Sequence, residues 1–334
     1  MTTGCKSALD FVSPLVKELP KSGIRKFFDI VAGRKDVISL GIGEPDFSTP
    51  WHICEAAISS METGATHYTA NLGMPELRRE ISKYMSRSYQ AEYDAKTEIM
   101  VSVGVSEALD AALRTVVSSG DEVIYHEPCF VAYAPLIRMA GGVPVPVETC
   151  RKDEFRIDIN ALEKAITPKS KVLLLNYPNN PTGAVLRCRD VEEIADFVLR
   201  HELLLISDEV YSELTYDAER YSFASVKRLR DNLVFLNGFS KAWAMTGFRL
   251  GFLCAPAPIT DNIMKVHQYG IMCAPTTSQF AAIEALRNGD EAVSAMLEEY
   301  DMRRRLIVNG FNKLGLSCRE PKGAFYAFPC IRST

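Results

Sequence analysis

The chain has 334 residues, of which 47% are hydrophobic and 24% charged, and its formal net charge is −4. That length predicts two domains, the composition is that of an ordered globular protein, and the weak acidic balance argues against nucleic acid or an anionic membrane as partner. Nine cysteines without a C-x-x-C pair indicate reduced thiols in a cytoplasmic setting, and five histidines without an H-E-x-x-H motif leave no metal site to expect.

Residues 1–40 mix a short helix candidate with Pro14, Pro20 and Gly23, and they carry Lys17, Glu18, Lys21 and Arg25 instead of the apolar core of a signal peptide. No apolar run reaches the roughly 18 residues that a transmembrane helix needs, so no membrane is expected. Gly41-Ile42-Gly43 is not a dinucleotide fingerprint, because Asp46 stands where the third glycine belongs. Short apolar runs then read as buried strands: Ile99–Val103, Glu122–Tyr125, Val143–Val147, Lys171–Leu175, Leu203–Ser207, Leu233–Leu236 and Leu250–Cys254. Amphipathic stripes lie between several of them, one through Ala108, Leu109, Ala112, Leu113, Val116 and Val117, another through Val191, Ile194, Ala195, Val198 and Leu199. Strands apolar on both faces that alternate with helices predict an α/β fold, a mostly parallel seven-stranded sheet with helices on both faces. From Asp290 a charged helix is expected, then strands over Leu316–Glu320 and Ala324–Phe328, which together make a smaller α+β unit. The expected division is an N-terminal segment over 1–40 packing with the small domain, a large domain over 41–289 and a partial small domain over 290–334.

Ligands of such sheets bind beyond the carboxyl ends of the strands. Three successive ends carry polar groups. Asn180 sits on a turn made rigid by Pro178, Pro181 and Gly183. Asp208, with Tyr211 on the same turn, ends an apolar strand where a carboxylate is costly to bury unpaired. Lys241 follows the third strand, and Arg249 comes eight residues later. Taken singly, Asn180 reads equally as a turn asparagine and Asp208 as a helix N-cap. A phosphate site needs backbone N–H groups at a helix start and a cation, which Gly104, Val105 and Ser106 with Arg249 could supply. An amine and a guanidinium at one sheet end suit pyridoxal phosphate, a cofactor with both an aldehyde and a phosphate.

The chain resembles the class I and II aminotransferases, the fold type I enzymes that use pyridoxal phosphate, and their aspartate and aromatic branch in particular. The resemblance runs from about Ile24 to Thr334. It rests on Ser39 to Phe47, on Tyr68 with Gly73 and Leu77-Arg78, on Asn180 to Gly183, on Asp208 to Tyr211, on Ser240-Lys241 through Arg249, and on Gly323 to Tyr326. It implies that Lys241 holds the cofactor as a Schiff base and moves the substrate proton, while Asp208 keeps the pyridine nitrogen protonated. It implies further that Tyr211 and Asn180 bond the ring hydroxyl, and that Phe130 and Val210 cover the two ring faces. Gly104, Val105, Ser106, Ser240 and Arg249 would hold the cofactor, joined by Tyr68 from the second subunit of a homodimer. Gly43 and Asn180 would touch the substrate. The expected reaction is a ping-pong transamination between an L-amino acid (aspartate, aromatic or related) and a 2-oxo acid such as 2-oxoglutarate. The same scaffold also serves C–S β-lyases. Two departures stand out: Gly238 replaces a serine or threonine that binds phosphate in many relatives, and family members continue for some tens of residues beyond Thr334. The second departure leaves a cofactor-binding but inactive fragment as a further alternative.

Overall fold

The structure, a computed structural model, describes residues 7–21, 23, 34, 36–37, 40–41 and 43–332. Ser39 and Ile42 of the first motif, and Ile24 and Thr334 at the ends of the resemblance, lie outside the described residues. Each of the expected central runs is a strand: β1 (Ile99–Ser102), β2 (Glu122–Glu127), β3 (Val143–Glu148), β4 (Ser170–Asn176), β5 (Leu204–Asp208), β6 (Leu233–Gly238) and β7 (Gly251–Cys254). They form one sheet in the order β1-β7-β6-β5-β4-β2-β3. Four neighbouring pairs, β2 with β3, β2 with β4, β4 with β5 and β5 with β6, are parallel; β7 alone runs against both its neighbours.

Side chains alternate across the sheet, so each strand feeds two cores. Val172, Leu174, Ile206, Val234 and Leu236 face one layer with Ala108, Leu109 and Ala112 of helix α4. Leu173, Leu175, Leu205 and Phe235 face the other with Ile194 and Val198 of helix α7. The helices in chain order are α1 (Pro14–Glu18), α2 (Trp51–Glu62), α3 (Pro75–Tyr89), α4 (Gly104–Val116), α5 (Tyr133–Met139), α6 (Ile159–Ala165), α7 (Cys188–Arg200), α8 (Ala257–Gly270), α9 (Thr276–Asn288) and α10 (Asp290–Lys313). Ser13 caps α1 by accepting the Val16 N–H, and Pro75 opens the first turn of α3, where a missing N–H costs nothing.

The expected strands over Leu316–Glu320 and Ala324–Phe328 do not form. Only isolated bridges occur there, Cys318 to Pro329 and Thr215 to Gly323. The backbone groups that a strand would pair are taken by loops of the large sheet. The N–H groups of Lys322 and Gly323 both donate to the Gly183 carbonyl at 2.9 Å, and that of Ala324 donates to Leu214 at 2.8 Å. Ala324 itself has φ of 55°, a left-handed conformation that interrupts extended chain. Arg304 of α10 fixes the same stretch. Its buried guanidinium donates to the Pro321 carbonyl and pairs with Asp217, Asp301 and Glu320. Among the described residues no helix is long and apolar enough to cross a membrane.

Candidate active site

Parallel pairing brings the carboxyl ends of β4, β5 and β6 into one row, with Asn176 opposite Asp208 and Asp208 opposite Leu236. The antiparallel strand completes that edge. Because β7 runs the other way, its first residue, Gly251, lies beside Gly238 at the end of β6 and beside Ser102 at the end of β1. Arg249, just before β7, and the start of α4, just after β1, therefore meet at the edge that carries Lys241.

A cavity of about 590 Å³ opens there. Asn180, Asp208, Val210, Tyr211, Ser240, Lys241 and Arg249 line it, as do Val105, Ser106, Phe130 and Gly43. Gly104 lies behind Arg249: a β-carbon on Gly104 would come within 2.8 Å of the guanidinium, and its φ of +71° is strained for any side chain. Tyr68, like Gly104, does not line the cavity of its own chain. It is 81% exposed.

The Lys241 ammonium donates to the Gly43 carbonyl at 2.5 Å. Burial pushes its pKa down to about 8, and nearby Arg249 pushes the same way, while Glu44 and Asp208 push it up. Asp208 is buried, which raises its carboxyl above the ordinary range; donation from the Tyr133 hydroxyl at 2.7 Å and from the Val210 N–H at 3.3 Å works against that rise. The Asn176 amide donates to the Asp208 carbonyl at 2.8 Å and its oxygen accepts the Asn180 N–H at 2.9 Å, so one side chain fixes two strand ends. His126 accepts the Asn176 N–H on Nε2, and burial drives its pKa down to about 4, so the ring acts as a neutral acceptor. Tyr211 is hydrogen-bonded to the Asn180 side chain and to the hydroxyl of Tyr326, 2.6 Å away. Arg249 adopts a left-handed backbone and donates through Nη1 to the Thr246 carbonyl at 3.1 Å, which turns its fork toward α4. Glu107, in the first turn of α4, accepts the Val103 N–H at 3.1 Å and leaves the next amides free to face the cavity.

Tyr133, Asn176, Glu44 and Thr246 are cavity residues that the sequence reading did not assign. Asn176 could have been found by the rule that found Asp208, a polar residue ending an apolar strand. Tyr133 gave no such signal, because an aromatic residue on an apolar helix face reads as core.

A lysine amine with a lowered pKa, a buried carboxylate facing it, two hydroxyl-directed groups, and an arginine at a helix start that a β-carbon on Gly104 would crowd together fit pyridoxal phosphate. The seven-stranded sheet with these groups along one edge is the arrangement expected of a fold type I enzyme that uses pyridoxal phosphate. The aromatic aminotransferase of Pyrococcus horikoshii OT3 superimposes with a TM-score of 0.87 at 46% identity, over 92% of this chain and 83% of that one. The aspartate aminotransferase of Pyrococcus abyssi is 47% identical over 98% of this chain and 83% of its own length. The aromatic-amino-acid aminotransferase 2 of Thermococcus litoralis is 45% identical over 94% and 81%. The family described as aminotransferase class I and II matches residues 35–334, and this chain belongs to it. Members of that family use pyridoxal phosphate.

Proposed function

We propose that this protein binds pyridoxal phosphate and transfers the amino group of an L-amino acid, of the aspartate or aromatic type, to a 2-oxo acid such as 2-oxoglutarate. The observation that carries the reading is the single cavity in which Lys241, Asp208 and Arg249 converge. When bound, pyridoxal phosphate supplies an aldehyde for an amine and a ring that takes up the electron pair left by a Cα proton.

Arg249 and the first amides of α4 hold the phosphate, Asp208 pairs with the ring nitrogen, and Asn180 and Tyr211 reach the ring hydroxyl. Phe130 and Val210 pack on the ring faces. The Lys241 amine, once displaced by substrate, would stand as the base that takes the proton from Cα and returns it at C4′ of the cofactor, in each of two ping-pong halves. Its lowered pKa suits that task near neutral pH. Gly43 presents its backbone to the substrate carboxylate. The exposure of Tyr68 supports a role across a homodimer interface, where it would reach the phosphate of a second copy. A large domain over 41–289 and a smaller unit from 290 onward, working in the cytoplasm, belong to the same reading.

The test is a half-reaction. Protein loaded with pyridoxal phosphate should lose its visible absorbance when aspartate, phenylalanine or tyrosine is added, and regain it with 2-oxoglutarate. Lys241→Ala should abolish both changes. Pyruvate released from a cysteine-type substrate with no 2-oxo acid present would instead show a lyase.

A further inference from the structure

Tyr326 comes from the far end of the chain, yet its hydroxyl lies 2.6 Å from that of Tyr211. Four backbone hydrogen bonds put it there. Lys322 and Gly323 donate to Gly183, beyond the turn that carries Asn180; Ala324 donates to Leu214, and Tyr216 donates back to Lys322 at 2.8 Å, both just beyond Tyr211. Phe325 locks the turn from the other side, stacked on Tyr300 at 5.5 Å and edge-on to Tyr211 at 5.6 Å. The Tyr326 hydroxyl also fills the space next to Gly43, where a β-carbon would come within 2.2 Å of it. Tyr326 thus touches both the residue that receives the Lys241 ammonium and the residue that faces the ring oxygen.

We propose that Tyr326 is a positioning residue that directs the hydroxyl proton of Tyr211 into the cavity, toward the phenolic oxygen of a pyridoxal-type cofactor. This inference rests on the reading given under Proposed function. Tyr211 has one hydroxyl proton and two lone pairs. The Asn180 side chain is bonded to its oxygen. Between the two hydroxyls either tyrosine can donate to the other. An anionic oxygen in the cavity is the stronger acceptor, so the Tyr211 proton turns to it. Tyr326 then donates to the lone pair that remains. Two donors on the Tyr211 oxygen polarise its O–H and strengthen the bond it makes to the cofactor. The charged groups around this pair are Asp208 and Lys241 within the cavity, with Glu44 and Arg249 at its wall.

Support for a negative ring oxygen lowers the basicity of the lysine nitrogen beside it. The colour change of the loaded protein with pH reads that basicity directly, without turnover. Tyr326→Phe should move its midpoint upward by about half a unit, the size of one neutral hydrogen bond, and should weaken cofactor retention about threefold. In a Tyr211→Phe background the same change should move the midpoint no further, because the effect passes through Tyr211. Thermal melting of the cofactor-free forms serves as control. A midpoint unchanged in Tyr326→Phe, or one that moves equally in both backgrounds, overturns the inference, whatever the melting temperature does. A wild-type protein that takes up no coloured cofactor overturns the inference together with the reading beneath it.

Discussion

The Tyr133 hydroxyl donates to Asp208 at 2.7 Å, and both groups are buried. This bond joins the first turn of α5 to the end of β5 and gives the carboxylate one of its few compensations for leaving water. Removing it as Tyr133→Phe would leave Asp208 with the Val210 N–H and more readily protonated, hence a weaker partner for a ring nitrogen. A hydrogen bond to a charged group is worth about 1.5–3 kcal/mol. Affinity for pyridoxal phosphate should therefore fall at least tenfold, as measured by equilibrium dialysis, while the cofactor-free fold melts within a few degrees of wild type.

Capture of the cofactor requires a neutral Lys241 amine. With a pKa lowered to about 8 by burial, the neutral fraction is one half near pH 8 and levels off one to two pH units above it. The rate at which cofactor-free protein develops absorbance with pyridoxal phosphate should follow that curve, half-maximal near pH 8. A rate still climbing steeply at pH 10 would show an ordinary, solvated lysine.

Glu209 follows Asp208 in sequence but faces away from the cavity. It is buried, with Ser207, Ser212 and the Phe223 N–H as donors at 2.9, 3.3 and 3.3 Å. Burial raises its pKa from 4.5 to about 7, against the pull of those donors. A carboxyl whose folded pKa is raised binds its proton more tightly in the native state, so its stabilising contribution is complete below pH 4.5 and is lost as pH climbs to 7. Glu209→Gln cannot titrate. Denaturant melts should show the wild type losing stability relative to this variant between those limits, by about 2–3 kcal/mol.

Two glycines are held by their neighbours. A β-carbon on Gly238 would lie 2.9 Å from Val105 Cγ2 and 3.0 Å from Gly251 Cα, so Gly238→Ser should cost about 1–3 kcal/mol of stability and bring no added phosphate ligand. At Gly104 the alanine variant meets both an unfavourable φ and the Arg249 guanidinium. Its cofactor affinity should fall about tenfold, with a stability loss of about 1–2 kcal/mol.

Much of the sheet was legible because a strand buried on both faces has to be an uninterrupted apolar run, and the runs at 172–175 and 233–236 are of that kind. Lys241, Asp208 and Arg249 were legible as charges set against such runs. The contacts that orient them were not. Tyr133 looks like any core aromatic, and Tyr326 finds Tyr211 only through a turn whose backbone partners, Gly183 and Leu214, lie more than a hundred residues away. The same distant partners explain why Ala324–Phe328 reads as a strand and is not one: alternation in sequence cannot reveal which hydrogen-bond donors a loop elsewhere has already claimed.

The position of β7 has a consequence for how folding and binding are linked. The last strand of the sheet lies between the first and the sixth, so β1 joins the rest of the sheet only through it. Arg249 enters with β7, and the helix start that it faces leaves from β1. A bound phosphate would bridge the two sides of that closure, which spans some 150 residues of chain. Ligand bound there stabilises the closed sheet over every form in which β1 is detached. Saturating cofactor thus acts as a clasp on the longest-range pairing in the sheet, and losing it loosens first the edge of the sheet that the chain makes earliest.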